Sequence, residues 1–175
     1  MTDALLELQG VGLATVEKLE KLSIHDLESL LYHFPRRFVD YSRWKTISDL
    51  RVGDTATFRG RVSSIFQRRT KRRGFTLQEL TVSDESGEIR VVFFNQPFVL
   101  RQLSEGREAV FSGTVEPDFI SKRSVKNPVF ELARGEATEY LHVGRLVPIY
   151  QLTAGLYPGF FRRLIKLALP QAAKL

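Results

Sequence analysis

The sequence predicts an α+β protein: a helical N-terminal segment, a five-stranded β-barrel and a C-terminal helix. Three observations carry this. Apolar residues recur at helical spacing before Pro35 and again after Pro158, whereas from Leu50 the period changes to two. Turn residues then break the alternating stretch into short runs of strand length. A chain of 175 residues, 43% of them hydrophobic, is long enough to bury a core, so disorder is not expected.

The N-terminal third reads as three short helices. Thr2 or Asp3 can cap the first, which carries Leu5, Leu6 and Leu8, and Gly10-Val11-Gly12 breaks it. The second places Leu13, Val16, Leu19 and Leu22 near one face. The third carries Leu27, Leu30, Leu31 and Phe34 at i, i+3, i+4 and i+7, and Pro35 ends it. The stretch from Leu8 to Leu19 reads as a helix-hairpin-helix. In such a motif Gly10 and Gly12 can offer backbone N–H groups to a phosphate. Its neighbours Glu7, Glu17 and Glu20 favour a scaffold role instead. Residues 36–49 are irregular, polar and basic, a linker expected to pack Phe38, Tyr41 and Trp44 against something.

Strands follow. Ala56, Phe58, Gly60 and Val62 alternate with Thr57, Arg59 and Arg61, making a half-buried strand. Phe75 to Val82 is its return, Asp84 to Gly87 a turn, and Ile89 to Phe94 a third strand. A short helix is expected over Pro97 to Leu103, a fourth strand over Ala109 to Val115, and Pro128 to Leu132 lies within a fifth. Residues 50–62 echo residues 103–115: Leu50, Gly53, Ala56, Phe58, Gly60 and Val62 correspond to Leu103, Gly106, Ala109, Phe111, Gly113 and Val115. Each copy holds a turn glycine and a mid-strand glycine where a barrel strand can bend. Five strands with a helix between the third and fourth is the order of an OB-fold barrel, a fold that binds oligonucleotides on one strand face and its loops. Beyond it, Leu146 to Tyr150 is extended, and Pro158 opens a helix bearing Phe160, Phe161, Leu164, Ile165 and Leu169 that Pro170 closes. The segments expected are therefore 1–35, 36–49, 50–140 and 141–175.

Charge is distributed unevenly. The net +6 conceals a first stretch, 1–35, with two lysines against six carboxylates, and a second, 36–75, with twelve cations against three carboxylates. At its densest, between Phe66 and Phe75, Arg68, Arg69, Lys71, Arg72 and Arg73 occupy five of six positions at a hairpin tip. Such a cluster repels itself until an anion arrives, and a nucleic-acid backbone is the polyanion that fits it; a solvated polar turn is the plainer reading. Strand alternation puts Ile89, Val91 and Phe93 on the core face and Arg90, Val92 and Phe94 on the other. Phe94 and Phe98 can then stack on bases at a strand end or seal the barrel mouth.

Several chemistries are excluded or disfavoured. There is no cysteine, hence no disulfide framework and no thiolate metal site. His25, His33 and His142 lack metal-ligand spacing, and no metal site is expected. No glycine precedes a lysine, so a phosphate loop of the Walker type is missing, and no nucleophile elbow is present. Asp84 and Glu85 suit turn geometry. Neither a signal-like segment nor a membrane-length apolar run occurs, which points to a cytoplasmic location.

Taken together, Gly10-Val-Gly12, Asp26-Leu-Glu-Ser-Leu-Leu-Tyr-His-Phe-Pro-Arg-Arg-Phe38, Val82-Ser-Asp-Glu-Ser-Gly87, Phe93-Phe-Asn-Gln-Pro-Phe98 and Leu146-Val-Pro-Ile-Tyr-Gln-Leu-Thr153 resemble the N-terminal wedge region of RecG-type ATP-dependent DNA helicases. The resemblance covers nearly the whole chain. It implies a wedge at the branch point of stalled forks and Holliday junctions, acting in recombination and repair. Two motor domains of the same parent chain would use ATP and Mg²⁺, whereas no cofactor is implied for this segment, whose truncated end and missing ATPase motifs suggest an excised domain. The family's stacking aromatics map to Phe94 and Phe98, the latter a position often held by tyrosine. Phosphate contacts would fall to Arg59, Arg61 and the basic tip. Branched and single-stranded DNA are the implied partners. A general single-strand-binding OB module, or a protein-interaction module using the barrel or the last helix, is the alternative.

Overall fold

Alternating apolar residues from Leu50 onward build one closed barrel, and the helical stretches at the two ends of the chain build a separate core. The computed structural model describes residues 3–69, 74–133 and 140–174. In chain order the helices and strands are α1 (Asp3–Leu6), α2 (Leu13–Glu20), α3 (Leu27–Leu31), β1 (Arg37–Asp40), β2 (Thr55–Arg69), β3 (Thr76–Asp84), β4 (Gly87–Phe94), α4 (Val99–Gln102), β5 (Glu108–Asp118), β6 (Lys122–Lys126), β7 (Val129–Leu132), β8 (Leu146–Ile149) and α5 (Pro158–Ala168). 3₁₀ helices occupy Ile47–Asp49 and Leu169–Lys174. No helix among the described residues is long and apolar enough to cross a membrane.

The chain divides into two compact units, residues 40–147 and residues 1–39 with 148–175. The second is not contiguous in sequence, unlike the consecutive segments read from composition. Its core joins Leu5, Leu19, Leu27 and Leu30 of the N-terminal helices, and Ile24 between α2 and α3, with Phe161, Leu164 and Ala168 of α5. The terminal helix is thus an integral layer of this core. Each fully buried Leu or Phe there contributes about 1.5–3 kcal/mol. Asp26 caps α3, its carboxylate accepting the Ser29 N–H at 2.8 Å while the Ser29 hydroxyl accepts the Asp26 N–H. The helix ends before Pro35, whose ring disfavours helical geometry in the residue ahead of it. Phe34 and Leu13, both expected on apolar faces, are therefore exposed, Phe34 beyond α3 and Leu13 at the first position of α2.

In the barrel unit the strands close in the order β2-β3-β4-β6-β5 and back to β2, with β4–β6 the parallel pair and the others antiparallel. This is the OB order, with α4 between the third and fourth strands of the barrel. Ile89, Val91 and Phe93 of β4 lie in its core with Phe58, Leu80, Val82 and Phe111. The expected fifth strand is two strands: β6 and β7 both pair with β5, interrupted at Asn127-Pro128, where Asn127 takes φ +45° and proline has no N–H to donate. The basic stretch expected to be irregular contains β1, which pairs with β8. Its aromatics Phe38 and Trp44 are both exposed, but Trp44, at 49%, lays its indole over Gly144 with its ring centroid 6.3 Å from that of Tyr140.

Candidate nucleic-acid interface

The β2–β3 hairpin carries the basic tip. β2 runs for 15 residues, and a bulge between Val62 and Ser64 separates its barrel-closing half from the arm that continues to Arg69 opposite Thr76. Along that arm Phe66, Arg68 and Arg69 are exposed. Arg68 reaches toward the Glu79 carboxylate at 3.7 Å. Lys71, Arg72 and Arg73 lie outside the described residues.

The aromatic candidates lie at this same end of the barrel, because Phe94, the last residue of β4, pairs with Leu77, which pairs on its other side with Arg68 of the hairpin arm. Neither Phe94 nor Phe98 belongs to the barrel core. Phe94 is half-buried, with its ring 6.0 Å from that of Phe75, and Phe98 is 41% exposed at the start of α4. The turn between them is tied down by amides. Asn127 Oδ1 accepts the Phe94 N–H at 2.9 Å and an amide hydrogen of Gln96 at 3.0 Å, while Gln78 Oε1 accepts the Gln96 N–H. Asn95, at φ +53°, accepts the Thr76 N–H with its side chain and donates its own N–H to the Thr76 carbonyl. Asn tolerates this left-handed backbone better than most residues. A rigid corner thus presents two rings beside the root of the basic hairpin.

Arg59 and Arg61 are elsewhere. Eight residues of extended chain place Arg61 about 26 Å from Arg69. Both guanidiniums donate to Glu108, at 2.8 and 3.0 Å. Hydrogen bonds from Arg59 and then Arg61 hold the Glu108 carboxyl below the usual carboxylate range, and the Glu108 bond raises Arg59. The pair flanks a shallow groove of about 770 Å³ whose other wall is the Asp84–Ser86 turn. Asp84 serves that turn as expected: it accepts from Ser86 and Gly87, and also from the Ile47 N–H. Among the described residues, the structure therefore does not gather Arg59 and Arg61 with Arg68 and Arg69 of the hairpin arm.

In the helical unit, α5 covers the hairpin glycine. Arg163 donates to the Gln9 carbonyl at 3.2 Å and lies against Gly10, where an added Cβ would come within 2.5 Å of Nη2. Gly12 opens α2 with nothing near its Cα hydrogens. Of the two expected backbone contacts, only Gly12 faces open space.

One element escaped the sequence reading. The β5–β6 hairpin presents Phe119 and Ile120, both exposed, on a tight turn held by Asp118. Single apolar residues between Pro117-Asp118 and Ser121-Lys122 carry no periodicity to mark them.

A closed five-strand barrel with aromatic rings and a cationic hairpin at one end, joined in one chain to a helical unit, defines an OB-fold module of an α+β protein. Residues 7–172 match the RecG wedge domain, and the chain belongs to that family. It is 32% identical over 167 residues to the ATP-dependent DNA helicase RecG of Pasteurella multocida and 30% identical over 167 residues to that of Thermotoga maritima, covering 94% and 93% of this chain. A solved structure of RecG bound to a three-way DNA junction aligns with 98% of the chain at a TM-score of 0.76 and 27% identity, over 23% of its own length. The chain spans about a fifth of the length of the curated relatives it matches, 20% and 23%.

Proposed function

We propose that this chain is the branch-point wedge of an ATP-dependent helicase acting on forks and Holliday junctions. The β2–β3 hairpin grips phosphates, while Phe94 and Phe98 stack on the first bases where paired strands diverge. The alignment along nearly its whole length with a junction-bound relative carries this reading. The rigid aromatic corner beside the cationic hairpin supports it physically. Base–aromatic stacking contributes about 1–3 kcal/mol per base and tolerates any sequence, as a structure-selective binder requires. ATP and Mg²⁺ belong to the motor domains of the parent protein. Nothing in these residues resembles a phosphate loop, so no step of hydrolysis falls to them.

Competition decides between this and a general single-strand binder. A three-way fork should displace labelled fork DNA from the chain at lower concentration than a single strand or duplex of the same sequence. Preference for the single strand would favour the plain OB-module reading, and no DNA binding at all would overturn both.

A further inference from the structure

The outer face of β3 and β4 carries an ionic ladder whose two ends are the two hairpins. Arg68 approaches Glu79, Glu79 accepts from Arg90 at 2.8 Å, and Arg90 donates at 2.8 Å to Asp118. Burial works against the charge on Arg90, yet the Glu79 and Asp118 carboxylates outweigh it and hold the guanidinium firmly protonated. The four charges cancel, leaving a face that neither repels nor binds a phosphate strongly. The same Asp118 carboxylate folds the β5–β6 tip, accepting the Ser121 N–H at 2.9 Å, the Ser121 hydroxyl at 2.9 Å and the Ile120 N–H at 3.2 Å. Phe119 is thereby held fully exposed, with Ile120 beside it at 71% exposure and Lys122 following.

Register gives the distance. In the parallel β4–β6 pair Arg90 is level with Ser124, so Lys122 is level with Glu88, six residues before Phe94. The two aromatic positions stand about 20 Å apart along the strands. About six stacked nucleotides at 3.4 Å each span that gap. This lies within the range of about 4–16 nucleotides that one OB barrel covers.

Resting on the branch-binding role, we propose that Phe119 is a second stacking platform: an unpaired DNA strand leaving the branch crosses the neutral ladder and stacks a base on this ring. Because stacking is local, arm length separates the two platforms. The full chain is titrated with forks bearing an unpaired arm of about two or about ten nucleotides, of each polarity. The wild type should bind the long-armed fork of one polarity about fivefold or more tightly than the short-armed one. Phe119→Ala should abolish that advantage without changing short-arm affinity, and Phe119→Trp should retain it. Phe94→Ala should weaken binding to both forks. A long-arm advantage that survives Phe119→Ala, its absence from the wild type, or an equal loss on both forks overturns the second platform while leaving the wedge intact. Failure of the wild type to bind any fork overturns both.

Discussion

At the scale of single residues, what matters is which groups already have partners. Phe94 and Phe98 sit outside the barrel core, at a corner fixed by Asn95, Gln96 and Asn127. Truncating either ring removes stacking without removing a cation. Phe94→Ala is therefore expected to reduce the preference for fork over duplex by about 1–3 kcal/mol while leaving the salt dependence unchanged, measured by fluorescence anisotropy on both substrates. Equal losses on fork and duplex would mark a packing residue. Carboxylates give a second expectation. Burial tends to raise Asp84 and Asp118, but hydrogen bonds from Ser86, Ile47 and Gly87 to the one, and from Ser121 with the charge of Arg90 to the other, leave both below the usual range. A carboxyl depressed in the folded state binds protons less readily there than when unfolded. Its contribution is present above about pH 4 and is lost as pH falls through the folded value. Asp118→Asn should lower the melting temperature at neutral pH and flatten the fall below about pH 4. An acid limb identical to wild type would show that Asp118 plays no part in it.

Elements show how far pattern reading reaches. The internal echo has a structural meaning its spacing alone does not reveal: the two copies pair with each other. Phe58 faces Phe111 at the centre of the β2–β5 ladder, rings 5.5 Å apart and nearly parallel, with Ala56 opposite Gly113 and Gly60 opposite Ala109 on either side. The barrel closes on a local two-fold made of one motif used twice. The mid-strand glycines are places of close approach. A Cβ at Gly60 would meet Val82 Cγ1 at 2.5 Å and the Ser83 carbonyl oxygen at 3.0 Å; at Gly113 the obstacles are Val125 and Pro128. Gly60→Ala is expected to destabilise by about 1–3 kcal/mol, because a backbone oxygen cannot swing aside as a side chain can. Urea unfolding measures it, and an unchanged midpoint would mean that β3 shifts freely. Alternation made the core of β2 to β5 legible, as did the OB order and the aromatic corner. Features that depend on register were not legible. Arg59 and Arg61 look continuous with the basic tip in sequence, yet strand geometry carries them away and Glu108, 47 residues beyond Arg61, claims them. Phe119 is conspicuous only once β5 and β6 are paired.

For the whole chain the question is which part of its positive charge a polyanion meets. Residues 36–75 hold twelve cations, but they are not equivalent. Arg59 and Arg61 share Glu108, Lys45 pairs with Asp54 at 2.7 Å, and Arg68 leans toward Glu79. Moving such a cation from its carboxylate to a phosphate releases a counterion from the DNA but leaves a carboxylate that takes one up, so the net salt dependence gained is small. Arg69, Lys71, Arg72 and Arg73 remain as the hairpin's candidates. If each neutralises one phosphate, log K against log[salt] should slope near −3 to −4, about −0.9 per contact on duplex. Replacing Lys71, Arg72 and Arg73 together by serine should bring the slope to about −1. Arg59→Ser with Arg61→Ser should scarcely move it. Glu108→Gln, by contrast, removes the carboxylate charge that Arg59 and Arg61 share and should steepen it. Equilibrium titrations across a range of salt concentrations measure all four slopes. A triple variant that keeps the wild-type slope, or an Arg59/Arg61 variant that loses as much as the triple, would shift the phosphate grip from the hairpin to the Glu108 groove and with it the path of DNA over the barrel.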